Sequence, residues 1–281
     1  MKIFVDDDIL IKGRKCLAYS SSATRDFISP YSATVVEKII AAGMEIVKEQ
    51  SEADASLSLG GMVDGHYYIR PTYGTVSRHG VIASVSSMDQ VGVWAKNIDD
   101  GFAVLSVIAG HDKNDGTSYQ TEKYEYIFYS GELNVINFSD LNFKYADCLE
   151  EVYLIIAAAE YSANTARIDG LKFGHRTENF KNMNELVVNS RSEAFSFEAM
   201  KMVLMGAYVL SEGQFEKYYL KATKIRRLIK QELDEILKKA DVIRVPDMTL
   251  AYLTGCPAIY NKADGWCFIA QEGKEGLFYG I

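Results

Sequence analysis

The stretch SLSLGGMVDG at residues 56 to 65 reads as a glycine turn of the kind that presents a nucleophile. After Gly60 and Gly61, where acyl transfer needs a hydroxyl or thiol, stands Met62. A thioether has no proton to lose and cannot form an acyl intermediate, so nucleophilic catalysis from this position is excluded. Other reactive residue types are dispersed. His66, His79, His111 and His175 lack H-x-x-x-H spacing and read as surface or core histidines. Cys16, Cys148, Cys256 and Cys267 form neither close pairs nor a metal-ligand pattern, which predicts isolated buried thiols with no disulfide, metal site or cofactor. HDKNDGTS at 111–118 has Asp, Asn and Gly but not the full alternation of a calcium loop. KIRRLIK at 224–230 gathers four cations and reads as the solvated face of a helix, with an anion- or partner-facing role as the alternative.

Such residues need elements to position them. The β-branched run KIFV opens the chain. In SPYSATVVEKIIAAGMEIV, Pro30 suits a first helical turn, Val35, Val36, Ile39 and Ile40 make an apolar face, Gly43 closes it, and a strand follows at 44–47. Residues 51–92, rich in Gly, Ser and Thr, predict loops and short strands and are the segment most like an active-site wall. Apolar spacing predicts a helix over 97–110, and the tyrosine-rich alternation over 119–148 predicts strands. Three further helices are expected: one from Cys148 to Gly170, one over 191–213, and a long one after it. The last carries Phe215, Tyr219, Ala222, Ile225, Ile229, Leu233, Ile236 and Ala240 as its buried stripe and leads into a strand at DVIRVP.

At 281 residues, 48 % hydrophobic and 24 % charged, the chain can bury a sizeable core and reads as one domain, 1–281. A net charge of −8 disfavours direct nucleic-acid binding by bulk electrostatics. The N-terminus turns acidic within a few residues, which argues against a signal peptide, and no apolar run reaches membrane-span length. A reducing, cytoplasmic setting is the expectation.

Four long colinear stretches carry a resemblance: RPTYGTVSRHGVIASVSSMDQVG, NIDDGFAVLSVIAGHDKNDGTS, ARIDGLKFG and SRSEAFSFEAMKMVLMGAYVLSEGQFEKYYLKATKIRRLIKQ. Together they resemble the amidase signature family, nearest to its glutamine-dependent amidotransferase members. The resemblance implies an α/β fold with a mixed twisted sheet flanked by helices. Family members are longer, so it also implies internal deletions, between Val47 and Ser58 and between Pro246 and Leu253, a compression around 119–148, and a shortfall before Met1.

In that family a lysine accepts a proton through a bridging serine while a second serine attacks the amide carbonyl. The resemblance puts Asp6, in VDDDI, at the lysine position, leaves only SEADA of the bridging-serine segment, and puts Met62 at the nucleophile. An aspartate with an ordinary pKa near ~3.9 is a weak base at pH 7. The competing reading of Asp6 is a solvated strand end. Of the tyrosine, arginine and aspartate that hold a substrate amino acid, the resemblance keeps Tyr153, replaces the arginine by Met202, and leaves Asp247 in a shortened segment of uncertain register. Losing the arginine removes a bidentate carboxylate clamp.

The expectation is a degenerate amidase-signature protein, retained as a binding or assembly module. Its emptied cleft around Gly60, Gly61 and Tyr153 is a candidate pocket for a small amide or amino acid, and self-association or another protein subunit is the expected partner. The competing reading is an amide-processing enzyme or amidotransferase subunit with a substitute nucleophile such as Cys16, or a site completed by a partner.

Overall fold

The computed structural model describes residues 1–18, 22–24, 26–60, 67–121 and 124–281. Short apolar runs make the strands: β1 (Lys2–Val5), β2 (Glu45–Ile46), β3 (Ala55–Ser58), β4 (Tyr67–Arg70), β5 (Gly92–Ala95), β6 (Val135–Asn137), β7 (Val242–Val245), β8 (Ala258–Asn261) and β9 (Trp266–Ala270). They form one mixed sheet in the order β2-β1-β3-β5-β4-β8-β9-β7-β6. Pairing is parallel at both ends, β2 with β1, β1 with β3, and β6 with β7, and antiparallel through the middle.

Because strand side chains alternate between faces, each strand divides its residues between two cores. Ile3, Val5, Leu57, Ile69 and Val93 turn to one face, where α1 (Thr34–Ala41) and α2 (Ile98–Ile108) cover them with Val36, Ile39, Phe102 and Leu105. Ile243, Val245, Cys267 and Ile269 turn to the other, against α3 (Leu149–Thr165), α6 (Tyr219–Leu237) and α7 (Thr249–Thr254). α4 (Met183–Ala194) and α5 (Phe197–Val209) complete the outer layer. Asn97 caps α2, its side-chain oxygen accepting from the Asp100 N–H at 2.8 Å. At the other end of α2, Lys38 Nζ donates to the carbonyls of Ile108 and Ala109, which have no helical partner of their own.

The structure departs from the sequence expectations at several points. Pro30 lies outside α1, which begins at Thr34, and Ile40 is exposed while Val35, Val36 and Ile39 carry the buried face. Among the described residues of 119–148, only Val135–Asn137 pairs as a strand. Its aromatic residues are held by ring packing instead: Phe128 sits 4.2 Å from Tyr279 and 5.5 Å from Phe102, centroid to centroid. The helix expected over 191–213 is two helices. Ser196 breaks it by accepting from the Ala199 N–H at 3.2 Å, which starts α5 afresh. The helix from Cys148 ends at Thr165, short of Gly170. α6 starts at Tyr219, leaving Phe215 outside it and exposed, and its buried residues are Ala222, Ile229, Leu233 and Leu237. Cys148 is half-buried, and the other three thiols are buried and free.

Asp112 ties three segments together, accepting from Thr34 Oγ1 at 2.5 Å, Ser77 Oγ at 2.6 Å and the Asn114 N–H at 2.9 Å. Burial opposes its ionisation, but these donors win and draw its pKa down to about 2. A carboxyl held below its unfolded value stabilises the fold above that value, and the contribution fades as pH falls through the folded value. Asp112→Asn is therefore expected to lower the urea midpoint at pH 7 and to converge on wild type near pH 2. Equal midpoints at pH 7 would contradict this.

Candidate functional site

Strand parity and register assemble the site. Asp6 follows β1, Ser58 ends β3 and Arg70 ends β4, all on the face opposite Ile3, Leu57 and Ile69. Ser58 pairs with Gly92, and Arg70 lies one residue beyond the Ile69–Val93 pair, level with the same glycine. A Cβ on Gly92 would meet Tyr68 Oη at 2.6 Å and the Ile69 carbonyl at 2.7 Å. Only glycine lets the Tyr68 hydroxyl lie across β5, where it donates to the Ser58 carbonyl at 3.4 Å.

Above this row is a cavity of about 390 Å³. Its wall contains the carboxyls of Asp6, Asp8 and Asp89, the hydroxyls of Ser58 and Ser84, and the rings of Tyr153 and Tyr252. Gly60 contributes backbone. Its φ of +136° and the 2.7 Å that would separate a Cβ from Tyr252 Oη both require glycine there. The Gly60 N–H is already spent, donating to Ser58 Oγ at 3.1 Å, so it is not a free oxyanion donor. The Asp6 carboxyl is pushed up by burial, with the Ser58 hydroxyl hydrogen-bonding it in opposition and Asp7 adding to the rise. Burial likewise raises Asp89, against the N–H groups of Ser84 and Val85 that it accepts at 2.8 to 3.0 Å. Tyr153 and Tyr252 are raised by burial and pulled back by the Arg70 charge.

Arg70 is wholly buried. Its Nη2 donates to the Met88 carbonyl at 2.6 Å, and its guanidinium carbon lies 4.9 Å from the Tyr252 ring centroid. Among the described residues its Nε and Nη1 have no hydrogen-bond partner.

The loop over 84–89 is fixed from four sides. Arg226 on α6 donates to Ser87 Oγ at 2.6 Å, the Ser87 carbonyl at 2.8 Å and the Leu253 carbonyl at 2.5 Å. Glu160 on α3 accepts from the Ser87 N–H at 2.8 Å, and Asn164 donates to Ser84 and Ser86 at 3.0 Å. Tyr73 and Arg78 both donate to the Ser86 carbonyl. Arg226 is therefore a structural clamp, which corrects the expectation that the KIRRLIK cations simply face solvent.

Of the residues expected from sequence, Asp6, Gly60 and Tyr153 meet in this cavity. Gly61 and Met62 lie outside the described residues. Asp247 lines a neighbouring groove of about 510 Å³ that shares Tyr153, and its carboxylate accepts from the Thr249 N–H at 2.7 Å at the start of α7. Met202 packs beside the separate cluster of Leu10, Tyr161 and Phe195. Cys16 belongs to that same cluster, 2 % exposed, its thiol donating to the Asp7 carbonyl at 3.0 Å and its pKa raised by burial. Cys16 therefore lies off the cavity wall, which does not favour it as a substitute nucleophile. His175 has a carboxylate partner that the sequence did not reveal, Glu193 at 2.7 Å. Arg70, Ser58, Asp89 and Tyr252 were also missed. The parity of β3 and β4 was the available signal for Ser58 and Arg70. Among the described residues no cluster of His, Cys, Asp and Glu could hold a metal ion, and no helix is long and apolar enough to cross a membrane.

This mixed sheet, with a cavity beside a glycine turn, is the architecture of amidase-type α/β proteins. The A subunit of glutamyl-tRNA(Gln) amidotransferase from Thermotoga maritima superposes with a TM-score of 0.65 at 22 % identity, covering 100 % of this chain and 81 % of that one. An amidase family protein from Bacillus anthracis gives 0.70 at 14 % identity, covering 100 % and 76 %. The family model described as Amidase matches residues 64–135 and 130–255, and the chain belongs to that family, the amidase signature proteins. The glutamyl-tRNA(Gln) amidotransferase A subunit of Campylobacter lari is 34 % identical over 239 residues, covering 74 % of this chain and 53 % of the relative. Its counterpart in Caldanaerobacter subterraneus is 28 % identical over 338 residues, covering 90 % and 69 %. This chain thus spans only about half the length of some of the curated relatives it matches.

Proposed function

We propose that residues 1–281 form one amidase-signature domain that has lost amide hydrolysis and acts as a cytoplasmic binding or assembly module. The observation that carries this reading is the make-up of the cavity wall. Its described ionisable groups are the carboxyls of Asp6, Asp8 and Asp89 and the phenols of Tyr153 and Tyr252, with no lysine, histidine or cysteine among them. A serine hydroxyl is a poor nucleophile until a base takes its proton, and a unit missing a key member loses about 10⁴ to 10⁶ in rate. Met62, from sequence, supplies no hydroxyl at all.

The assembly role is supported by the relatives, which are named as one subunit of an amidotransferase. It is also supported by α5, where Phe197, Leu204 and Tyr208 stand exposed at helical spacing. The partner on this reading is a second copy or another protein subunit, with direct nucleic-acid contact disfavoured by the net charge of −8.

The purified chain is expected to release no ammonia from glutamine or acetamide above the buffer rate, and to show no site-selective fluorophosphonate or iodoacetamide labelling. Turnover that survives repurification, or labelling of one serine or cysteine, overturns the reading.

A further inference from the structure

The charges of α6 oppose its own dipole. Carboxylates are favoured near a helix N-terminus and cations near its C-terminus. The first turn of α6 has no acidic residue, and exposed Lys217, Lys221, Lys224 and Arg227 crowd that end instead. Lys217, Lys221, Lys224 and the exposed Leu228 recur every three to four residues, so they form one stripe, turned away from the buried Ala222, Ile229 and Leu233. Among the described residues none of these cations has a carboxylate within ion-pair distance, and the ion pairs of the helix are made by Lys230 and Lys238. α3 carries the counterpart. Exposed Asp147, Glu150, Glu151 and Leu154 have the same spacing around its start, turned away from the buried Val152 and Ile156. No described cation lies within ion-pair distance of those carboxylates. The two helices run in opposite directions. The Lys144 N–H, just ahead of α3, donates to Glu232 late in α6 at 2.8 Å, while Glu160, late in α3, acts on Tyr219 and Arg226 early in α6. Glu151 lies about 14 Å along α3 from Glu160, more than the Debye length of about 10 Å at 0.1 M salt, so Lys221 and Glu151 of one chain do little to neutralise each other. Between them α5 crosses α3 with Leu204 and Tyr208 exposed, and the Tyr208 ring is 5.7 Å from that of Tyr218 at the start of the basic stripe.

We infer that this face binds a second copy of the chain, the basic stripe of α6 in each protomer lying on the acidic stripe of α3 in the other. The inference rests on the assembly reading and names its partner and its surface. Both helices cover the same face of the sheet, and both stripes point away from it. A two-fold axis midway between the stripes therefore lays each on its opposite in the second copy, and the pairing is made twice. Each stripe has a leucine within one turn of its charges, Leu228 at 42 % and Leu154 at 36 % exposure, so the contact covers apolar surface along with the ion pairs. A nucleic acid fits the face less well, because its phosphates would meet the acidic stripe and a net charge of −8 as well as the lysines.

The test is light scattering and sedimentation of the full chain from about 1 to 100 µM in about 50 mM sodium chloride. Twice the chain mass is expected at the upper concentration, with a dissociation constant that rises at least about 10-fold on going to about 500 mM salt. The triple variant Lys217→Glu, Lys221→Glu, Lys224→Glu puts carboxylates where the helix dipole favours them, so it is expected to melt no lower than wild type and yet to be a monomer. The triple variant Asp147→Lys, Glu150→Lys, Glu151→Lys is expected to be a monomer too. An equimolar mixture of the two is expected to recover the dimer, because one then presents carboxylates at both contacts and the other ammonium groups. A wild-type monomer at the upper concentration would leave the face to another protein and overturn the inference. A dimer indifferent to salt or to either triple substitution, or a mixture that stays monomeric, would overturn it equally. Ammonia release from glutamine in the same samples reports separately on the non-catalytic reading, because association does not depend on turnover.

Discussion

Gly206→Ala is expected to melt about 6–12 °C below wild type, a loss of about 3 kcal/mol. Gly206 lies in α5 where it crosses α3. A Cβ there would fall inside van der Waals distance of the Ala158 carbonyl oxygen and of Ser162 Cβ. Neither can yield by a side-chain rotation, since one is backbone and the other is fixed to it. The helices must separate, and a close-packed interior resists this because opening the crossing forfeits dispersion attraction along both helices. Alanine's better helix propensity returns about 1 kcal/mol, too little to compensate. α3 also carries Tyr153, Glu160 and Asn164, so its displacement loosens the cavity and the 84–89 loop as well as the helix pair. Gly116→Ala is the control, with nothing within 4 Å of its Cβ and no left-handed backbone, and it is expected to be neutral. A Gly206→Ala melting temperature within 1 °C of wild type would show that the crossing tolerates a methyl group.

Met62→Ser is expected to restore no amide hydrolysis, with turnover at least about 10⁴ below an ordinary enzyme's 10 s⁻¹. The substitution returns a hydroxyl to the position after Gly60 and Gly61, but a hydroxyl alone is unreactive. Asp6 is the base candidate on hand, and it is engaged by Ser58 and raised only as far as burial takes a carboxyl. Adding Asp6→Lys is expected to leave the chain inactive too. An ammonium placed in a wall with Asp8 and Asp89 is held protonated by them, and a protonated lysine accepts nothing. Ammonia release is the measurement for both variants, with a mass spectrum to detect any acyl adduct. Turnover of a few per second in either variant would mean that the catalytic frame persists and that one substituted side chain, or two in the double variant, silences it.

What Met62 and Asp6 cannot do was legible before the fold. Met62 cannot be a nucleophile wherever it sits, and Asp6 cannot become an ammonium by folding, because both statements concern covalent structure. The chemistry that is present was not legible. Arg70 sits in YYIRPTYG as an unremarked strand-end residue, and nothing in its neighbours says that it is buried without a described counter-ion. Arg226 looked like one cation of a solvated face, yet it clamps Ser87 across a separation of 139 residues. Likewise the tyrosines of 119–148 have the alternation of strands but are bound by rings and hydroxyls, with Tyr124 donating to the buried Glu275 at 3.2 Å.

By itself the sequence determined the family, the α/β layering and the positions of most helices, because periodicity and cap residues act over a few neighbours. It also determined which reactive groups the chain owns. Tertiary structure alone decided which of them meet. Strand register brought Ser58 and Arg70 level with one glycine, and folding buried that arginine wholly with its guanidinium over the Tyr252 ring. Register and burial depend on residues far apart in the chain, and no local pattern encodes them.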